Sequence, residues 1–155
     1  MAVLKIVKFG DETLRKVSRP VEEITPRIKT LIDDMIQTMR ASGGCGLAAP
    51  QVGVLRRIAV IEVEDGKVYE LINPKIIAFA GEQTESEGCL SNPGEYGITR
   101  RPKAVTVRAT DRNGKEYDLS GTDLLARAIC HECDHLDGKL YIDVQIKPDS
   151  PAKKK

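Results

Sequence analysis

The chain has 155 residues, 24 basic and 23 acidic, with a formal net charge of +1, so no global field draws it to nucleic acid or an anionic membrane. Two Phe, four Tyr and no Trp argue against base-stacking platforms and make the core aliphatic. No apolar run approaches the roughly 20 residues of a membrane span, residues 1–9 are too short for a signal peptide, and four cysteines without pairing logic suit a reducing cytoplasm.

Residues 1–24 read as an extended start with a short helical turn from Asp11 to Lys16 and a loop through Ser18-Arg19-Pro20. Thr25-Pro26 opens the first clear helix, with Thr as N-cap and Pro in the first turn. Ile28, Leu31, Ile32, Met35, Ile36 and Met39 keep helical spacing, and Gly43-Gly44 ends the helix. Both methionines read as packing.

Gly44-Cys45-Gly46-Leu47-Ala48-Ala49-Pro50-Gln51 follows, matching G-x-G-x-x-A, with Glu62 or Glu64 beyond a strand. A dinucleotide fingerprint must follow a strand and open a helix. This one follows a helix and runs into Pro50, so it reads as a flexible backbone ribbon with one buried amide, Gln51.

Residues 57–63 read as a strand, Asp65-Gly66 as a tight turn, and 67–72 as its partner. Residues 74–80 form another strand. The acidic run 82–87 leads into Glu87-Gly88-Cys89-Leu90-Ser91, and Pro93-Gly94 and Arg101-Pro102 bracket a loop. Residues 105–110 and 116–119 flank Asn113-Gly114, a hairpin signal. Gly121-Thr122 starts a second helix that closes near Gly138; 140–146 is a last extended piece, and 148–155 a solvated basic tail. The fold class expected is α+β: mostly antiparallel β-sheets packed around a buried C-terminal helix, with one long N-terminal helix, in a single domain over residues 1–147.

That second helix carries the chemistry. His131 and His135, the chain's only histidines, stand four residues apart, about 40° around a helix and one turn along it, so both can hold one metal ion. Glu132 lies about 60° beyond His135, within reach of a water on that ion. This is H-E-x-x-H, with the glutamate as general base. Cys130 and Cys133 form C-x-x-C but project away from the histidines, and read as buried thiols on the packing face. A catalytic site of this kind needs a third protein ligand, for which Cys45, Cys89 and acidic residues are the candidates.

Three separated stretches agree with one family: G-x-G-L-A-A-x-Q at 44–51, E-G-C-L-S at 87–91 and H-E-x-D-H at 131–135, followed by Leu136 and Gly138. The chain resembles the peptide deformylases over nearly its whole length. The resemblance implies Cys89, His131 and His135 as metal ligands and Glu132 as base, then acid. It implies that Leu90 offers its backbone N–H and Gln51 its side-chain amide to the substrate oxygen. Gly44, Cys45 and Gly46 would pair with the substrate peptide in extended form, Glu87 would line the site, and Arg101 would brace it by pairing with a carboxylate. The implied reaction releases formate from the N-terminal formyl-methionine of nascent polypeptides, in the cytoplasm, by a monomer working near the ribosome and touching neither DNA nor membrane. Fe(II) is the metal the resemblance favours, with Zn or Ni as replacements that a thiolate and two imidazoles also accept.

Two other readings keep the metal but change the function. A zincin-like metallopeptidase shares H-E-x-x-H yet draws its third ligand from downstream, where no histidine follows His135. A structural metal-binding module needs a fourth protein ligand, which neither Cys130 nor Cys133 can supply.

Overall fold

The computed structural model describes residues 2–148. Its α-helices are α1 (Pro26–Ala41) and α2 (Asp123–Leu136), and its strands are β1 (Gly46–Ala48), β2 (Ile58–Ile61), β3 (Tyr69–Ala80), β4 (Gln83–Gly88), β5 (Tyr96–Arg101), β6 (Ala104–Thr110), β7 (Glu116–Thr122) and β8 (Gln145–Pro148). Strands β1-β2-β3-β6-β7 form one sheet and β4-β5-β8 a second, with antiparallel pairing in both. The class is α+β with antiparallel sheets and a late helix, as expected.

The helices form where the sequence placed them. Thr25 accepts the Ile28 N–H at 3.3 Å and Pro26 opens α1; past its end Gly43 takes φ +74°, a conformation that costs glycine little. The helices cover opposite faces of the larger sheet. Ile32, Met35, Ile36 and Met39 pack against Leu47, Ile58, Val60 and Ile72. On the other face Ala126, Ile129, Cys130, Cys133 and Leu136 pack against Ala48, Ala59, Ile61, Leu71, Val107 and Leu119. Successive β2 residues therefore alternate between two cores, which is why this strand is apolar throughout. Each isoleucine, leucine, valine or methionine among them, removed from water, contributes about 1.5–3 kcal/mol.

Several local expectations change. Segments 67–72 and 74–80 are one strand, β3, kinked where Asn73 takes φ +52° and the register shifts between Ile72 and Lys75. The Asn73 side chain holds that kink by bonding Val21 through both its N–H and its C=O, each at 2.8 Å. The ribbon after α1 is not loose. It is edge strand β1 followed by a 3-10 turn over Ala49–Val52, with Ala48, Ala49 and Gln51 fully buried or nearly so. The acidic run is strand β4, and the supposed loop before Pro102 contains strand β5. Thr122 is the last residue of β7, so α2 begins at Asp123. The final extended piece is a 3-10 turn, Tyr141–Asp143, and then β8. Pro148 closes β8; the rest of the expected tail lies outside the described residues.

Among the described residues no helix is long and apolar enough to cross a membrane.

Candidate active site

The site lies where α2 passes between the edge of the larger sheet and the end of β4. A cleft of about 450 Å³ opens there, lined by residues 42–46, 87–90, 92–96 and by Leu124, Arg127, Ala128, His131 and Glu132 of α2. Helical spacing puts Leu124, Ala128, His131 and His135 along one stripe of α2. The stripe's upper end faces the cleft and its lower end is enclosed, His135 being 1% exposed.

Cys89, just past β4, brings its Sγ to 3.3 Å from His135 Nε2. The ligand atoms of Cys89, His131 and His135 all lie within 4.8 Å of one another. Metal–ligand lengths of about 2.0–2.3 Å in a tetrahedron separate neighbouring donors by about 3.3–3.8 Å, so one ion fits this spacing. Residue chemistry agrees: the His131 Nδ1 is engaged by Glu87 Oε2 at 2.6 Å, which leaves Nε2 as its free donor. Among the described residues this cluster offers three protein donors and no fourth, leaving one corner of a tetrahedral ion open.

Glu132 is 3% exposed and its Oε1 has no hydrogen-bond partner. Burial pushes its carboxyl up to about 7, against the pull of His131. A carboxyl with that affinity can take a proton and return it near neutral pH. Space for it exists because residue 46 is glycine: a Cβ there would lie 2.5 Å from Glu132 Oε2. Gly44 is similarly pressed, by the side chain of Leu90 at 2.6 Å. Burial raises the half-buried Cys45 thiol, as does the Glu132 charge.

Two donors face the thiolate side. Gln51 Oε1 accepts the Ala48 N–H at 3.0 Å, so its Nε2 turns the other way and donates to Ser91 Oγ at 3.1 Å and Cys89 Sγ at 3.5 Å. The Leu90 N–H has no partner among the described residues.

Beneath the histidines runs a buried charge network. Glu87 Oε1 accepts from Thr99 Oγ1 (2.7 Å), Arg101 Nε (3.0 Å) and Arg127 Nη1 (2.8 Å), while Oε2 accepts from Arg101 Nη2 (2.7 Å) besides meeting His131. Arg101 continues to Asp134 at 2.7 Å, and Arg127 also donates to the Thr99 hydroxyl. Burial alone would raise the Glu87 carboxyl, but the bonds from His131 and Arg101 outweigh it and hold it well below the usual carboxylate range. His131 is held well above its ordinary value: burial opposes this, and Glu132, Cys89 and Glu87 prevail. His135 is driven well below its own by burial and by His131.

The structure thus brings together Cys89, His131, His135, Glu132, Gln51, Leu90, Glu87 and the 44–46 backbone. Cys130 and Cys133 stay in the core, 7% and 9% exposed, on the far side of α2. Glu87 lines the cleft, yet both its oxygens are taken by protein donors. Sequence reasoning missed Thr99, Arg127 and Asp134. An arginine one helical turn before His131 on an otherwise apolar stripe was the available signal, because a buried guanidinium requires a carboxylate.

A family model described as polypeptide deformylase matches residues 3–150. The chain is 54% identical over 147 residues to a peptide deformylase of Thermoanaerobacter pseudethanolicus, covering 95% of this chain and 92% of that one. It is 56% identical over 147 residues to that of Acetivibrio thermocellus, covering 95% and 86%. Among solved structures it superposes on a Legionella pneumophila peptide deformylase with TM-score 0.90 and 43% identity, over 99% of this chain and 89% of that one. A Synechococcus elongatus peptide deformylase in complex with actinonin gives TM-score 0.89 and 41% identity, over 92% and 80%.

Proposed function

This chain belongs to the polypeptide deformylase family, and on that premise we propose that its cleft hydrolyses the formyl amide at the N-terminus of formyl-methionyl peptides, releasing formate. One observation carries the assignment to residues: three soft-to-borderline donors converge within 4.8 Å beside a buried carboxyl poised near 7.

Cys89, His131 and His135 would hold the metal ion; one thiolate and two imidazoles suit Zn as well as iron, and the resemblance to the deformylases favours Fe(II). When bound, the ion supplies Lewis acidity toward the formyl carbonyl and toward water. The protein does the rest. Glu132 Oε1, free of protein partners, takes the proton of the attacking water and returns it to the departing amine, so one carboxyl serves both half-steps. The Leu90 N–H and Gln51 Nε2 donate to the oxygen on which charge develops; a donor of this kind contributes about 2.7–4 kcal/mol to the barrier. Gln51 is oriented before substrate arrives by the Ala48 N–H, and its Nε2 exchanges a bond to Ser91 Oγ or Cys89 Sγ for the substrate oxygen.

Strand β1 is the edge of its sheet and borders the cleft, so residues 44–46 can pair with an extended peptide. Gly44 and Gly46 have no room for side chains of their own against Leu90 and Glu132, and a formyl carbon, bearing only hydrogen, needs less space between such walls than an acetyl carbon with its methyl. The substrate places the working protein in the cytoplasm, where nascent chains emerge at the ribosome, and residues 1–147 act as one monomeric unit.

The test is direct. Anaerobically purified, Fe(II)-loaded protein is given a formyl-Met tripeptide and its acetyl counterpart, and formate is measured. Formate from the first and no reaction of the second supports the reading; cleavage of internal peptide bonds overturns it.

A further inference from the structure

We propose that Arg127 is a positioning residue that limits how strongly Glu87 draws on His131, and so limits how tightly the centre grips its cation. The inference rests on the metal centre proposed above.

Its basis is an excess of donors on one buried carboxylate. A carboxylate behind a metal-binding histidine ordinarily accepts the ring N–H, raises the basicity of the imidazole and tightens the metal. Glu87 has that place, 2.6 Å from His131 Nδ1. Arg101 already binds it with two bonds at 3.0 and 2.7 Å, while dividing its charge with Asp134 at 2.7 Å. Arg127 adds a second guanidinium at 2.8 Å on Oε1 and also donates to Thr99, whose hydroxyl bonds the same oxygen at 2.7 Å. Oε1 therefore carries three donors and Oε2 two. Arg127 is 5% exposed, and its Nε has no partner.

Apart from the orphaned Nε, the guanidinium turns its bonds to Glu87 and Thr99. An unpaired buried donor of this kind costs about 1–3 kcal/mol. What the arrangement does achieve is electrostatic. Two cations share Glu87 and its charge is spread over five bonds, so its pull through the 2.6 Å contact with His131 Nδ1 is smaller than the same carboxylate would exert without Arg127. A positive charge is also held one helical turn from His131. Both effects weaken cation binding and leave the ion more electron-poor, hence a stronger Lewis acid.

The sign of the prediction separates this role from a structural one. Loss of a brace loosens a metal site, whereas loss of Arg127 should tighten this one. The affinity of the metal-free full chain for Co(II) alone is measured anaerobically by chelator competition, with thiolate-to-cobalt absorption reporting ligation. Arg127→Met should bind Co(II) about tenfold more tightly than wild type, the lower end of what an outer partner commonly changes. Arg127→Lys, which returns the charge, should stay within about twofold of wild type. Thr99→Val removes one donor from Oε1 without removing charge and should tighten binding by about twofold. It carries the test if Arg127→Met does not fold. Unchanged or weaker Co(II) binding in folded Arg127→Met, or in Thr99→Val where Arg127→Met does not fold, overturns the role of Arg127, as does tightening in Arg127→Lys equal to that in Arg127→Met. Absence of thiolate-to-cobalt absorption in wild type overturns the metal centre itself.

Discussion

Gly46 and Glu132 are in contact across the cleft: a Cβ added to residue 46 would stand 2.5 Å from Glu132 Oε2. The edge strand that borders the cleft is thereby also the wall against which the catalytic carboxyl rests. Gly46→Ala must turn that carboxyl aside or move the strand. The expected result is at least a 10²-fold loss of deformylation, since displacing a catalytic group by about 1 Å costs that much. Metal content by elemental analysis should be unchanged, because the atoms an added Cβ meets first belong to Glu132 and not to a ligand.

Glu132→Gln keeps the shape of the side chain and removes its proton traffic. Turnover should fall about 10²–10⁴-fold while the purified protein retains a full metal complement. Turnover near wild type in this variant would remove Glu132 from its assigned role.

Cys89→Ala leaves two imidazoles on one helix without their partner from the other sheet. The protein should fold and lose its metal, read as a stoichiometry well below one per chain. A full complement would take Cys89 out of the ligand set.

Gln51→Ala deletes a donor aimed at the developing charge. We expect kcat to fall with about 2.7–4 kcal/mol added to the barrier, and KM to change little, since the amide contributes chiefly in the transition state. The Ala48 N–H also loses its acceptor, so the measurement includes a thermal melt to separate stability from catalysis.

Glu87 links the centre to acid stability. Folding holds its pKa well below the ordinary 4.5. As pH falls below about 4.5 the unfolded chain takes up a proton that the folded chain refuses, and stability is lost toward the depressed folded value. Glu87→Gln should flatten that acid limb in denaturant melts. At neutral pH it should cost about 3–5 kcal/mol, the usual penalty for removing one partner of a buried ion pair.

Legibility in the sequence followed the direction in which each segment is apolar. Helix α1 was readable because Ile32, Met35, Ile36 and Met39 bury one stripe and the caps carry their usual residues. The histidine pair was readable because helical geometry alone brings it together. Strand β5 was not, because its inward positions are Gly97, Thr99 and Arg101: its buried face is polar and serves Glu87 rather than a core. Strand β4 hides for the same reason, with Glu87 its buried residue. Alternation rules look for hydrophobic burial, and here two strands bury charge. The Asn73 kink was equally silent, since nothing local shows that its amide meets Val21, distant in sequence.

The four cysteine thiols divide sharply. Cys130 and Cys133 sit in the core with thiols pushed up to about 11 and about 12 by burial, while Cys45 and Cys89 border the cleft. Alkylating agents acting on the folded chain therefore find accessible thiols only at the place where peptide enters. Chemical damage of that kind silences the enzyme while leaving its architecture standing, so inactivation would run ahead of any loss of native structure.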